Sequence, residues 1–185
     1  MNLNTDFSKF PLLMTENLIL REVVETDVDE IFFLRSDLEV MKYIPREPAT
    51  KKQDALNHIE VLRKAKENEE GINWAITQKG DDTLMGIIGL YRINKTDFRA
   101  EVGYILNPKF HGKGIIKEAL DKIIEFGFNQ AQFHTLTAII DARNTASENV
   151  LKRAHFTKEA HFREDCYHNG EFTDSIHYSI INPQH

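Results

Sequence analysis

The chain has 185 residues, of which 41% are hydrophobic and 28% are charged, and its formal net charge at pH 7 is −6. This length allows one domain with a core of its own, and this composition argues against a largely disordered chain. The negative net charge argues against a nucleic-acid partner, because phosphate contacts require a basic surface, and it favours neutral or cationic partners.

Cysteine content and hydropathy bear on the compartment. Cys166 is the only cysteine, so an intramolecular disulfide framework is excluded and a reducing compartment fits. The first residues lack a cationic segment followed by an apolar run, and no later run reaches the roughly 18 to 20 apolar residues that span a bilayer. We therefore expect a single cytoplasmic domain over residues 1–185 that does not bind a membrane, and the sequence leaves open whether it is a monomer or a homodimer.

The first part of the chain predicts a strand followed by two helices. Residues 17–23 form the strand, and residues 25–37 form the first helix. The second helix begins near Thr50 after a proline-containing break. Its inward residues lie at helical spacing: Ala55, Ile59 and Leu62. This part of the chain therefore predicts helices that cover one face of a sheet.

From Ile72 onward the hydrophobic period changes to two. Residues 72–77, 83–94 and 100–106 are strands joined by short turns, which predicts an antiparallel meander. The stretch 107–120 then leads into a helix. Four apolar residues share one face of that helix: Ile116, Ala119, Leu120 and Ile123. Because this helix crosses between two strands, the strand at 134–140 should run parallel to the strand at 100–106.

The C-terminal part predicts a short helix at 145–154 and two strands at 156–165 and 171–180. The dipeptide Asn169-Gly170 between these strands is typical of a type I′ hairpin turn. The complete order is β-α-α-β-β-β-α-β-α-β-β. We therefore predict an α+β fold of mixed α and β elements, with a mostly antiparallel twisted sheet, one parallel strand pair and about four flanking helices.

The loop NPKFHGKG, residues 107–114, joins a strand to a helix. Backbone N–H groups at a helix start lack helical partners and lie at the positive end of the helix dipole. Gly112 and Gly114 lack the Cβ atoms that would keep a ligand away from these groups. Three side chains could add positive charge: Lys109, His111 and Lys113. The pattern matches neither a P-loop nor a dinucleotide fingerprint, so the loop is either a helix-starting turn or an anion site of another kind.

Two motifs together resemble the GNAT superfamily of N-acetyltransferases. They are AEVGYILNPKFHGKGIIKEAL, residues 100–120, and ARNTASENVLKRAHF, residues 142–156. The chain is most similar to the branch of ribosomal-protein-alanine N-acetyltransferases, and the resemblance extends over nearly its whole length. It implies that acetyl-CoA is the co-substrate and that a primary amine attacks the thioester directly in a ternary complex. No metal is expected, because the C-terminal histidines lack a metal-ligand spacing.

The resemblance also implies which residues hold coenzyme A. In the family, backbone amides of the loop bind the pyrophosphate, the end of the preceding strand pairs with the pantetheine arm, and that strand splays from its parallel neighbour. Lys109 replaces the family's Gln or Arg, which keeps the cation and loses the planar side chain. The implied cofactor-binding residues are Ile105, Leu106, Lys109, Phe110, His111, Gly112, Lys113, Gly114, Ile115 and Asn144.

The implied reaction needs a base for the ammonium, a donor for the oxyanion and a proton or hydrogen bond for the departing thiolate. The family expectation for the oxyanion is a backbone N–H near Leu106. Many relatives place a Tyr seven residues after the motif Asn to serve the thiolate, whereas this chain has Leu151 there. The resemblance therefore implies that Ser147 serves the thiolate. The alternative is that Ser147 only belongs to the N-cap region of the helix.

The sequence offers two carboxylates as the base. Glu101 ranks first because strand alternation places it on the same face as Gly103 and Ile105. Glu164, before the final hairpin, ranks second, and a water chain without a dedicated base ranks third because an α-amine has a pKa near about 8. The acceptor could be the N-terminal amine of a ribosomal or other protein, or a polyamine, amino sugar or antibiotic. From a different class, the chain could be an acyl-CoA-binding module without turnover.

Overall fold

An eight-stranded sheet organises residues 3–184, the part of the chain that the computed structural model describes. In chain order the elements are β1 (Leu13–Met14), β2 (Leu18–Glu22), α1 (Val28–Ser36), α2 (Leu38–Met41), α3 (Lys52–Glu67), β3 (Ile72–Gln78), β4 (Asp81–Asn94), β5 (Arg99–Leu106), α4 (Ile115–Asn129), β6 (Thr135–Asp141), α5 (Thr145–Arg153), β7 (Thr157–His168) and β8 (Glu171–Ile181). Short 3₁₀ turns at Glu25–Asp27 and Pro108–Phe110 complete the order.

The strands lie in the order β1-β2-β3-β4-β5-β6-β8-β7, and within this described sheet β5 and β6 form the parallel pair while the other neighbours are antiparallel. The predicted α+β fold is therefore confirmed. Two elements were not predicted, because the two residues of β1 and the single turn of α2 are too short to show a period. The helix α2 raises the number of α-helices in residues 3–184 from the expected four to five.

Helices cover both faces of the central strands. On one face α1 and α3 pack through Ile31, Leu34 and Ile59 against Ala75 and Ile87. On the other face α4 and α5 pack against a larger cluster. Its α4 members include the four predicted inward residues: Ile116, Ala119, Leu120 and Ile123. Helices on both sides explain why β3 and the middle of β4 are buried almost without interruption.

The pairing between β5 and β6 is short. It joins Arg99 to Thr135, Ala100 to Leu136 and Glu101 to Thr137, and there it ends. Beyond Glu101, β5 continues to Leu106 on β4 alone, while β6 continues to Asp141 on β8. The implied splay of the parallel pair is thus present in the structure. It leaves an opening in the sheet, with one backbone edge of β5 facing into it.

The final hairpin has the predicted turn. Asn169 and Gly170 have φ angles of 51° and 83°, which is the left-handed pair that a type I′ turn requires. This turn joins β7 to β8, and β7 forms the outer edge of the sheet.

Candidate active site

A cavity of about 390 Å³ lies at the opening between β5 and β6. Its walls come from the end of β5, the loop at 107–114, the first turn of α4, the helix α5 and the region of α2. The structure brings most of the predicted cofactor-binding residues to this cavity: Ile105, Leu106, Phe110, His111, Gly112, Gly114, Ile115 and Asn144. Lys109 and Lys113 belong to the same loop but do not line the cavity, and the Lys113 ammonium lies 5.4 Å from the centre of the Phe110 ring.

The loop owes its shape to two glycines and an Asx turn. Gly112 and Gly114 have φ angles of 75° and 78°, a left-handed conformation that costs other residues about 1–2 kcal/mol. The Asn107 side chain accepts a hydrogen bond from the backbone N–H of Lys109 at 3.0 Å, which holds the loop at its start. No heavy atom of residues 3–184 outside the local backbone lies within 4 Å of a Cβ placed on either glycine. These glycines therefore set the backbone conformation rather than make room for a neighbouring side chain.

Two helix N-termini converge on the cavity. Gly114 is the N-cap of α4, and Asn144 is the N-cap of α5, and both residues line the cavity wall. The start of α4 has no side-chain cap, so its first backbone N–H groups lack helical partners, whereas at α5 the N–H groups of Thr145 and Ser147 are bonded to Arg143 and Asn144. Both termini carry the positive end of a helix dipole. Lys117 and Arg153 add two cationic side chains to the lining, whereas Glu39 is an acidic residue on the opposite side. This arrangement favours an extended anionic ligand such as a pyrophosphate ester.

The capping role at α5 belongs to Asn144. Its Oδ1 accepts a hydrogen bond from the backbone N–H of Ser147 at 3.0 Å. Ser147 therefore contributes only its backbone to the cap, and its hydroxyl is not needed for the helix to begin. The Ser147 side chain lines the same cavity, within reach of a ligand held there.

The two predicted carboxylates lie in different places. Glu101 occupies the last paired position of β5 and β6, where the opening begins, and its side chain is 22% exposed. Its carboxylate forms an ion pair with Arg92, with 2.8 Å between Oε2 and Nη1. Glu164 is exposed on the edge strand β7, with its backbone N–H bound to Asp174. Neither Glu101 nor Glu164 lines the cavity.

Comparison with known proteins identifies the family. The sequence model described as "Acetyltransferase (GNAT) domain" matches residues 17–157. The chain belongs to the GNAT acetyltransferase family. The predicted enzyme class is thereby confirmed, and acetyl-CoA is the co-substrate of this GNAT acetyltransferase.

Several relatives match over nearly the whole chain. YoaA of Bacillus subtilis, named as an uncharacterized N-acetyltransferase, is 31% identical over 95% of this chain and 99% of its own length. The spermidine N(1)-acetyltransferase of Vibrio cholerae is 22% identical over 93% of this chain and 97% of its own. This chain is thus similar to proteins that are named for different acceptors or for none.

Solved structures agree on the fold. A GNAT-family acetyltransferase from Bacillus anthracis has a TM-score of 0.83 at 26% identity, and the match covers 93% of this chain and 99% of that one. RimL, a ribosomal L7/L12 α-N-protein acetyltransferase solved with coenzyme A, has a TM-score of 0.82 at 22% identity, with 92% and 96% covered. The predicted resemblance is confirmed for the GNAT family, and a ribosomal-protein acetyltransferase is among the proteins that share its fold.

The structure of this GNAT protein adds Tyr104 to the site, a residue that the sequence did not single out. Its side chain lines the cavity, and its hydroxyl donates a long hydrogen bond of 3.4 Å to the backbone oxygen of Ser147. Burial raises the pKa of Tyr104 to about 12. Strand alternation could have found it, because a residue on the opposite face of β5 from Glu101 and Gly103 must face α4 and α5.

A cationic cluster lies on the face of the sheet that α1 and α3 cover. Burial and the charges of Arg35 and Arg46 lower the pKa of His58 to about 4, so this imidazole is neutral at pH 7. Burial also lowers the pKa of Arg35, and the nearby charge of Arg46 lowers it further. Neither arginine forms an ion pair with a carboxylate of residues 3–184. The cluster therefore carries uncompensated positive charge.

The same cluster reaches the start of the opening. Tyr91 lies opposite Glu101 in the β4–β5 register, and its ring lies 3.1 Å from the position of a Cβ on Gly103. Burial raises the pKa of Tyr91 to about 12, against the opposing effect of the Arg46 and Arg35 charges. Glu101, Tyr91 and the two arginines therefore share the face of the sheet opposite to Tyr104 and Ser147.

Within residues 3–184, no group of three or more His, Cys, Asp or Glu side chains is arranged to hold a metal ion. Nor does any described helix combine the length and apolar character that a membrane span requires.

Proposed function

We propose that this protein transfers the acetyl group of acetyl-CoA to a primary amine within a ternary complex, at the opening between β5 and β6. The observation that carries the proposal is the edge of β5 left unpaired beyond Glu101, whose end at Ile105 and Leu106 lines the cavity together with the two helix N-termini. An extended thioester can enter such an opening with its phosphates on one side and its acetyl group on the other.

In the proposed complex the cofactor is held largely by backbone groups. The pyrophosphate binds the amides of the loop at Gly112 and Gly114 and the first turn of α4. The pantetheine arm pairs with the free edge of β5 at Ile105 and Leu106, as an added strand would. The family expectation for the oxyanion, a backbone N–H near Leu106, belongs to the same edge. The acetyl group then lies between β5 and the start of α5, near Asn144.

The amine approaches from the face of the sheet that carries Glu101. Its lone pair forms the C–N bond, and the proton that it loses passes to Glu101 directly or through water. The Arg92 guanidinium, 2.8 Å from Oε2, holds this carboxylate at the point where the β5–β6 pairing ends. A water chain suffices for an α-amine, whose pKa is about 8, so Glu101 accelerates the reaction without being indispensable. Glu164 remains the second candidate for the base, although the final hairpin would have to move for Glu164 to reach the amine.

The charges beside Glu101 favour one acceptor class. Arg35 and Arg46 place positive charge on this face that no ion pair within residues 3–184 offsets. Against the expectation from the net charge of −6, this local charge attracts an anionic group and repels a polyamine. The acceptor that fits best is an amine linked to an acidic group, such as the N-terminus of a ribosomal or other protein with acidic residues close behind it. A small-molecule amine with a carboxylate or phosphate satisfies the same requirement.

The test is an acceptor screen with free CoA as the signal. Peptides beginning with Ala or Ser would carry Asp, Gly or Lys at the next two positions, and spermidine would represent the polyamines. We expect the acidic peptides to react fastest and spermidine slowest. Arg46→Ala should raise KM for the acidic peptides selectively, whereas Arg99→Ala, an exposed arginine at the start of β5, should not.

Two other outcomes have clear meanings. A preference for spermidine would overturn the acceptor class while leaving acetyl transfer intact. If acetyl-CoA raises the melting temperature but no acceptor releases CoA, the protein is an acyl-CoA-binding module rather than an enzyme acting on these amines.

A further inference from the structure

Tyr104 occupies the cofactor side of the opening in the sheet. It lies three residues beyond Glu101, the last residue of β5 that pairs with β6. Its ring is therefore flanked by β4 on one side and by the opening on the other, and it faces the first turn of α5. Ser147 and Asn144 line the same end of the cavity. This is the end that receives the thioester in the proposed acetyl-CoA complex, on which the inference below rests.

The Tyr104 hydroxyl is only weakly engaged by the protein. Its oxygen lies 3.4 Å from the Ser147 carbonyl oxygen, at the long limit for an O–H···O hydrogen bond. Tyr178 offers an internal comparison, because its hydroxyl also meets α5 but donates to the Glu148 carboxylate at 2.8 Å. A ligand atom with more negative charge than a carbonyl can therefore draw the Tyr104 proton away from Ser147 at little cost.

The protonation state of Tyr104 limits what it can do. Burial raises its pKa to about 12, so the phenol keeps its proton throughout the working range of pH. A thiol has a pKa of about 8.5, and a phenol that holds its proton more firmly will not protonate the thiolate outright. It can still donate a strong hydrogen bond to the sulfur as negative charge develops there.

We propose that the Tyr104 hydroxyl donates a hydrogen bond to the sulfur of coenzyme A while the carbon–sulfur bond of the thioester breaks. The amine lone pair forms the new C–N bond, and the electron pair of the C–S bond passes to sulfur. The proton lost by nitrogen reaches solvent or the sulfur through Glu101 and water, while Tyr104 retains its own proton. Tyr104 thus takes the thiolate role for which Leu151 offers no hydroxyl, and Ser147 remains a second donor on the facing wall.

The test is a titration of the bound CoA thiol in the protein and in Tyr104→Phe, a change that keeps the ring. The ultraviolet absorbance of the thiolate gives the thiol pKa, and the complex with desulfo-CoA provides the blank. We expect the wild-type protein to favour the bound thiolate about tenfold more than the Tyr104→Phe variant does. The turnover number should fall by a similar factor, and the Kd of acetyl-CoA should change less than twofold.

Tyr178→Phe is the matched control, since it removes a buried phenol that also contacts α5 without lining the cavity. It should alter neither the thiol pKa nor turnover. An equal thiol pKa in the wild type and in Tyr104→Phe overturns the proposal, whatever the activity. A parallel loss of affinity for CoA, acetyl-CoA and desulfo-CoA also overturns it, because that result means that Tyr104 only packs against the cofactor.

The thiol titration requires cofactor binding but no acceptor. If wild-type protein binds CoA and acetylates no amine, the titration still decides the role of Tyr104, while the enzymatic proposal fails by itself. If calorimetry detects no CoA binding to the wild type, both proposals fail, since the cavity is then not the cofactor site.

Discussion

The two sides of the opening between β5 and β6 differ in whether backbone groups or side chains form them. The proposed cofactor side consists mainly of backbone: a loop with Gly112 and Gly114 in left-handed conformations, and two helix starts within continuous segments of sequence. The proposed acceptor side consists of side chains that come from α1, the loop after α2, α3, β4 and β5. A site formed by backbone groups tolerates substitutions such as Lys109 in place of the family's Gln or Arg. A site formed by side chains changes its chemistry with each substitution. One family can therefore keep its co-substrate while its acceptors differ.

The largest expected effect concerns the cofactor side. Gly114→Val forces a β-branched residue into a left-handed conformation, so the loop must rearrange and its amides no longer converge. We expect the Kd of acetyl-CoA to rise about 100-fold in calorimetry, as for a loss of several charge-assisted hydrogen bonds.

Gly170→Val provides the control, because Gly170 has a φ angle of 83° and equally open surroundings in the distant hairpin. Both variants should lose about 1–2 kcal/mol in free energy of unfolding, and only Gly114→Val should lose cofactor affinity. An unchanged Kd of acetyl-CoA in Gly114→Val would mean that the loop does not bind the cofactor.

The next effect concerns the acceptor side. Glu101→Gln removes the proposed base while keeping its shape, and we expect kcat/KM at pH 7 to fall about 30-fold. The Kd of acetyl-CoA should stay the same, which separates the two sides experimentally. Glu164→Gln should leave both quantities unchanged because Glu164 lies on the edge strand away from the cavity. The reverse result, with Glu164 as the sensitive residue, would require the hairpin to move over the opening.

The Ser147→Ala variant tests the residue that lies where the proposed cofactor and acceptor sides meet. Because Asn144 supplies the cap, the helix should keep its stability, and kcat should fall about tenfold with little change in KM. Thr145→Ala, an exposed change in the same helical turn, should have no kinetic effect. Full activity in Ser147→Ala would leave the sulfur to Tyr104 alone.

The smallest effect is a pH dependence of stability from the cationic cluster. His58 has a pKa of about 4 in the folded protein and about 6.5 when unfolded, so between these values the unfolded chain binds more protons. Stability therefore rises with pH across this window and is lost as pH falls through it. Between pH 7.5 and 5.5 we expect a loss of about 1 kcal/mol in the free energy of unfolding, measured with urea, and His58→Gln should abolish it. An unchanged slope would mean that neither burial nor the charges of Arg35 and Arg46 lower the pKa of His58.

Much of the fold could be predicted because its elements are long and periodic. The four inward residues of α4 and the three of α3 are all buried, and the parallel course of β6 followed from the crossover helix alone. The elements that were missed, β1 and α2, have two and four residues, which is too short to show a hydrophobic period. One of them matters for function, because α2 and the residues after it form the cavity wall at Val40, Tyr43 and Ile44.

The sequence by itself determined the cofactor side, since a left-handed glycine pair followed by a helix start is a local property of consecutive residues. The tertiary structure alone decided the rest. Tyr104 and Ser147 are 43 positions apart and meet because α5 packs across the opening, and Arg35, His58 and Tyr91 come together because α1 and α3 pack on one face of the sheet. Electrostatic effects depend on distances and burial that no run of residues encodes, and these distances set which groups are charged and which hydroxyl reaches the cavity.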